Sequence, residues 1–185
     1  NHIHATDLAR ACLAALWRGR NRRVYNVADA SVLKMGDYMT QAADLSGQKA
    51  PACQLESLKE GKSQILPLKP GHVTYVDFWA SWCGPCRAEN PNVVKNYQKY
   101  KDAGFTVMSV SLDSNKDKWL AAIAADQLVW PNHVSDLGGW QSKVAKLYGV
   151  QSIPFTVLLD KEGRVIATNL RGAALEQALQ QIFGF

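Results

Sequence analysis

The chain is poor in cysteine. Four among 185 residues are too few for a small disulfide-stapled scaffold. It also lacks any apolar run of the roughly 18 residues that a membrane-spanning helix needs, so no span is expected within this sequence. A second Cys or Cys/His pair at short spacing is missing. His72 and His133 stand alone, and Cys12 and Cys53 are distant. A zinc ribbon, which takes four closely spaced ligands, is therefore disfavoured. There is no internal repeat and no low-complexity tract. Charge is not strongly one-sided: 21 Lys and Arg face 16 Asp and Glu, a net of +5. The basic residues concentrate only at Arg18, Arg20, Arg22 and Arg23, which read as a solvated loop, so no nucleic-acid partner is expected. The sequence begins at Asn1 rather than Met. The gene start is expected upstream, with room for a removed signal or anchor.

What is present is a hydrophobic fraction of 47%, ordinary for a globular protein and enough for a real core. The length suits one domain, or one domain with a small appendage. The most informative stretch is residues 75–91, Tyr-Val-Asp-Phe-Trp-Ala-Ser-Trp-Cys-Gly-Pro-Cys-Arg-Ala-Glu-Asn-Pro. A β-type apolar run leads into two cysteines two residues apart, and then into a helical pattern. Cys83 therefore falls at a helix N-terminus, where unpaired N–H groups and the positive dipole end favour a thiolate. Moving a thiol pKa from about 8.5 to about 7 is worth roughly 2 kcal/mol, much of which a helix start provides. Pro85 suits the first helical turn. Zinc and dithiol readings both begin from such a pair, but only the dithiol reading needs nothing else. In it Cys83 is exposed and attacks, while Cys86, one turn in, is more buried and resolves the mixed disulfide.

Periodicity orders the rest. Strands are expected at Val73–Ala80, Phe105–Leu112, Phe155–Asp160 and Val165–Thr168, the last two joined by a turn at Lys161–Arg164. Helices are expected at Pro85–Lys101, Lys116–Asp126, Trp140–Tyr148 and Ala173–Phe183. Val93, Val94, Tyr97 and Tyr100 are spaced for one buried face of the first. Trp119, Leu120 and Ile123 are spaced for one face of the second. This order argues for an α/β sandwich around a mixed sheet. Residues 1–50 read instead as a helix at Thr6–Trp17, a strand at Arg23–Val27 and a helix at Lys34–Leu45, with Ser46–Pro51 as the join. Cys12 sits in an apolar helical stripe as a core residue, Cys53 near a strand start, and no pattern supports a bridge between them.

The run Val76–Cys86 closely resembles the active-site segment of thioredoxins, and its extension Arg87–Pro91 resembles the TlpA-like periplasmic thiol–disulfide oxidoreductases. The likeness continues through Val110–Asp113, Tyr148–Pro154 and Leu159–Gly163, covering residues 51–185. It implies a thioredoxin fold, a mixed sheet flanked by helices. It implies a catalytic set of Cys83, Cys86, Asp77 and Glu89, in which buried Asp77 exchanges a proton with Cys86 and Glu89 tunes the thiols. It implies a cis bond at Ile153–Pro154, with the Ile153 backbone opposite Cys83 for strand-like pairing with substrate. Trp82, Gly84, Pro85, Ile153 and Pro154 are then the substrate-facing residues, and Pro91 kinks the helix. No cofactor or metal is implied beyond the Cys83/Cys86 pair. Partners are protein disulfides or dithiols and a thiol electron donor. The compartment implied is the periplasm, the cytoplasm being the alternative. The Gly-Pro dipeptide resembles that of reducing thioredoxins, within a superfamily whose potentials span about −120 to −270 mV.

Residues 1–50 are different. Ile3–Ala11 and Arg23–Asp29 resemble the C-terminal part of extended short-chain dehydrogenases and epimerases, forming a helix-strand-helix appendage. The dinucleotide loop that opens such folds is absent, so no nicotinamide site is inferred. The competing functional readings are a non-catalytic interaction module and an epimerase remnant fused to the redox domain. Oligomeric state is left open by the sequence.

Overall fold

The computed structural model describes residues 47–51, 54–57, 62–65 and 70–185. The expectations for residues 1–46, including the dehydrogenase-like fragment, Cys12 and the arginine cluster, lie outside the described residues, as does Cys53. The strands are β1 (Gln54–Ser57), β2 (Lys62–Ile65), β3 (Val73–Trp79), β4 (Phe105–Ser111), β5 (His133–Val134), β6 (Phe155–Leu159) and β7 (Val165–Thr168). The helices are α1 (Gly84–Tyr100), α2 (Lys116–Ala125), α3 (Lys143–Leu147) and α4 (Ala173–Phe183). One sheet runs in the order β2-β1-β5-β4-β3-β6-β7. β3, β4 and β5 are parallel, while β6 runs antiparallel to β3 and β7 to β6. This is the mixed sheet of a thioredoxin-like fold.

β3 and β4 are buried at every position, as central strands covered on both faces should be. Tyr75 and Asp77 share one face of β3, with Ser109 and Thr156 beside Asp77 on the neighbouring strands. Tyr97 of α1 meets Trp130 edge-on, and the Trp130 indole donates to Ser109 Oγ at 3.0 Å. α1 therefore covers the Asp77 face. Phe78 points to the other face, against Tyr148 and Phe155. Residues 47–50 run along the β7 hairpin: Gly47 N–H donates to Val165 O, and Ala50 N–H to Gly163 O.

Two expectations about helices are corrected. Trp140–Tyr148 is not one helix. A 3₁₀ turn at Gly139–Gln141 ends at Ser142, whose side chain caps α3 by accepting from Ala145 N–H. On α2, Trp119 and Ala122 are buried whereas Leu120 is exposed. The short helix packs through a narrower stripe than its apolar residues suggest.

Candidate active site

β3 ends at Trp79, and the turn Ala80–Trp82 delivers the chain to α1. Cys83 is the N-cap residue of α1, in extended backbone geometry, and its Sγ accepts from Cys86 N–H at 3.2 Å. The first helical bond runs from Arg87 N–H to Cys83 O at 3.0 Å. Pro85, in the first turn, removes an N–H that would have had no intrahelical partner anyway. The first turn carries no acidic residue, so no carboxylate of its own offsets the positive end of the helix against Cys83. Pro91, inside α1, withholds the N–H that Arg87 O would have received.

Cys83 and Cys86 are joined as a disulfide. In this state both are buried, at 5% and 2% exposure, so Cys83 is not the open group that the sequence suggested. Bonding to Cys86 draws its sulfur against the first turn. The surface around the pair is supplied instead by Trp82, 55% exposed, and by Gly84 and Pro85, both exposed. Trp79 is fully buried. The Ile153–Pro154 bond is cis, just before β6.

The turn before Cys83 is pinned by a residue that the sequence analysis named only as the end of the Val110–Asp113 stretch. Asp113, buried after β4, accepts from Ser81 N–H at 2.9 Å, from Ser81 Oγ and from Ser111 Oγ at 2.7 Å. Its own N–H donates to Ser111 Oγ. Local sequence carried little signal for this, because Ser81 lies 32 residues away.

Asp77 has the opposite environment. It is buried in β3, and its carboxyl pKa is raised to about 7, first by desolvation and second by the charge of Glu89. No hydrogen-bond donor among the described residues offsets either effect. Glu89, one turn beyond Cys86, accepts from Asn92 Nδ2 and from Gly172 N–H, each at 2.7 Å. It thus ties α1 to the start of α4, which has no side-chain cap of its own. Tyr75 donates to Leu170 O at 2.8 Å. Burial, then the Asp77 charge, pushes its phenol well above the usual value. On the outer side of α1, Arg87 makes a two-pronged contact with Asp126 at the end of α2, and Asn90 Nδ2 donates to the same carboxylate at 2.7 Å.

The structure thus brings Cys83 and Cys86 together, and sets Asp77 and Glu89 within electrostatic reach of each other on the α1 side of the sheet. Among the described residues, no group of three or more His, Cys, Asp or Glu side chains could hold a metal. No helix among them is long and apolar enough to cross a membrane.

Comparison with known proteins agrees with this geometry. The Redoxin family model matches residues 45–181. The thiol:disulfide interchange protein HelX of Rhodobacter capsulatus is 30% identical over 148 residues, covering 80% of each chain. The thiol-disulfide oxidoreductase ResA of Bacillus thuringiensis is 29% identical over 135 residues, covering 73% of this chain and 75% of its own. Among solved structures, the thioredoxin domain of a thiol-disulfide oxidoreductase from Bacteroides vulgatus superposes with a TM-score of 0.69 at 35% identity. That match covers 75% of this chain and 97% of the other.

Proposed function

The chain belongs to the Redoxin family and is a thiol–disulfide oxidoreductase; from that premise we propose that it reduces protein disulfides, with Cys83 attacking, Cys86 resolving and Asp77 moving the proton. The Cys83 thiolate attacks one sulfur of the substrate disulfide. The other substrate sulfur leaves as a thiolate and takes up a proton. Cys86 then gives its proton to the Asp77 carboxylate and attacks Cys83 Sγ. That attack closes the Cys83–Cys86 disulfide and releases the second substrate sulfur as a thiolate, which takes up a proton. Two electrons pass from the dithiol to the substrate, and a thiol donor restores them.

The observation that carries this reading is the cysteine pair at the start of α1 with a buried carboxyl titrating near neutrality on the face below. A group with a pKa of about 7 is divided between acceptor and donor forms near neutral pH, which suits proton transfer in both directions. Glu89 supports it by holding negative charge near Asp77. Trp82, Gly84, Pro85 and the Ile153–Pro154 segment form the proposed substrate contacts. The periplasm is the proposed compartment, checked by fractionation of a tagged full-length protein. Residues 1–50 are proposed as an appendage to the redox domain at 51–185.

Reduction of insulin disulfides tests the activity, with Cys83→Ser as control; equal turnover by the two would sink the enzyme assignment. Direction is tested by the potential of the Cys83/Cys86 couple. A value near −270 mV supports a reductase, and one near −120 mV reverses the direction.

A further inference from the structure

Beside the disulfide, between the start of α1 and the flank of α2, lies an open groove of about 360 Å³ lined by Ser81, Trp82, Arg87, Lys118, Ala121, Ala122 and Ala125. Its position is set by the active-site turn itself. Ser81 and Trp82 immediately precede Cys83, and Arg87 N–H is bonded to Cys83 O. The alanines of α2 form an apolar wall, because a helix face of small side chains leaves room that larger ones would fill. At the mouth stands the exposed Trp82 ring, 6.2 Å from the ring of Trp140, itself 46% exposed. Two neighbouring exposed tryptophans at the edge of a reactive disulfide make an apolar shelf of the kind that anchors a partner.

The charge of the groove is asymmetric. Its lining holds two cations and no carboxylate. Arg87 is already matched by Asp126, at the end of α2. Lys118 has no side-chain partner among the described residues; only its backbone N–H is engaged, by the Asn115 cap. The groove thus presents one uncompensated positive charge beside an apolar wall. A cationic segment would be repelled there, and a purely apolar one would leave Lys118 unused.

We propose that this groove receives the extended segment of the substrate protein that flanks its reacting cysteine. The preferred segment carries an apolar side chain against Trp82 and the alanine wall, and an Asp or Glu within a few residues to meet Lys118. The proposal rests on the disulfide-reductase reading and adds to it a residue that selects among substrates. Lys118 touches no reacting atom; it discriminates by charge alone.

The test uses two peptide series on the full chain. One series carries a cysteine in a disulfide and reports turnover; the other has serine in its place and reports binding alone, by tryptophan fluorescence. In each, the flanking residue is Glu, Gln or Lys. The expected order of affinity is Glu, then Gln, then Lys, with steps of about two- to fivefold at low salt, fading as salt is raised. In turnover the same steps are carried by KM and leave kcat unchanged. Lys118→Glu inverts the order, while Lys116→Glu, on the same helix but outside the groove lining, preserves it. Charge-blind binding by the wild type, or an equal response to the two substitutions, overturns the groove assignment. Charge-dependent binding without turnover of the cysteine peptides leaves the groove standing and refutes the reductase reading instead.

Discussion

Replacing Asp77 by Asn tests whether the buried carboxyl carries a proton near neutrality. In the folded protein its pKa is about 7, against 3.8 for the free side chain. Below pH 3.8 the group is protonated in both folded and unfolded states and costs nothing. As pH rises, the unfolded chain releases the proton first, so folding must retain or recover it. Stability from this site is therefore full at low pH and is lost as pH climbs through the folded-state value. Each pH unit between the two values removes about 1.4 kcal/mol, and about 3 kcal/mol disappears between pH 5 and pH 8. An amide has no such titration. Asp77→Asn leaves a buried polar group without a partner, but that cost is the same at every pH. Urea denaturation of the oxidised protein, run at half-unit steps from pH 5 to pH 8.5, yields the difference between wild type and variant. That difference should shift in favour of the variant by about 3 kcal/mol across the range. Parallel profiles would refute the desolvated-carboxyl account, and with it the proton-transfer role assigned to Asp77.

Three further substitutions probe the surroundings. Glu89→Gln keeps an acceptor for Gly172 and Asn92 but removes the charge that raises Asp77, so the Asp77 midpoint should fall, as read by NMR titration of its carboxyl carbon. Asp113→Asn turns one acceptor toward Ser81 and Ser111 into a donor. It should cost about 2–3 kcal/mol in urea and speed hydrogen exchange at the Ser81 amide. Arg87→Ala removes the partner that holds the Asp126 carboxyl below its usual pKa. The contribution of that lowered group is present above the usual Asp range and lost as pH falls through the folded value. Arg87 is partly exposed, so the cost at pH 7 should be about 1 kcal/mol, and should shrink as pH falls below the usual Asp range and through the lowered folded value, beneath which Asp126 is protonated in both states.

The strands and helices that bury a continuous apolar face were legible in the sequence. β3, β4 and β6 are runs of β-branched and aromatic residues, and α1 and α4 are long enough for their period to show. The short pieces were not. β5 is only His133–Val134, made a strand by pairing with Ser109 and Val110 of β4. β1 and β2 read Gln-Leu-Glu-Ser and Lys-Ser-Gln-Ile, with one apolar residue each, too polar to announce a hairpin at the sheet edge. Ser142 broke the helix expected at Trp140–Tyr148 because its hydroxyl competes for a backbone N–H, a preference that apolar spacing does not register. In the candidate site, the cysteine pair could be named from its own spacing in residues 75–91, whereas Asp77 in the same stretch was named only through the resemblance. The Glu89 contact with Gly172 spans 83 residues, and no local pattern could have predicted it.

Three carboxylates around the disulfide show how environment, rather than side-chain type, divides the work. Asp113 accepts three hydrogen bonds, two of them from Ser81. Those bonds hold the turn that presents Cys83. Glu89 accepts two and thereby joins α1 to α4, so moving it disturbs the packing of both helices. Asp77 accepts none among the described residues, where only burial and the Glu89 charge act on it. Asp77 can therefore gain or lose a proton without breaking a structural hydrogen bond. A proton carrier for Cys86 needs that freedom, because it must change state twice in each catalytic cycle. The same freedom is costly, since an unpartnered carboxylate in the sheet interior destabilises the fold as pH rises. An acid at position 77, among Val76, Phe78 and Trp79, is therefore hard to explain by packing, and fits the proton transfer proposed for the second half-reaction.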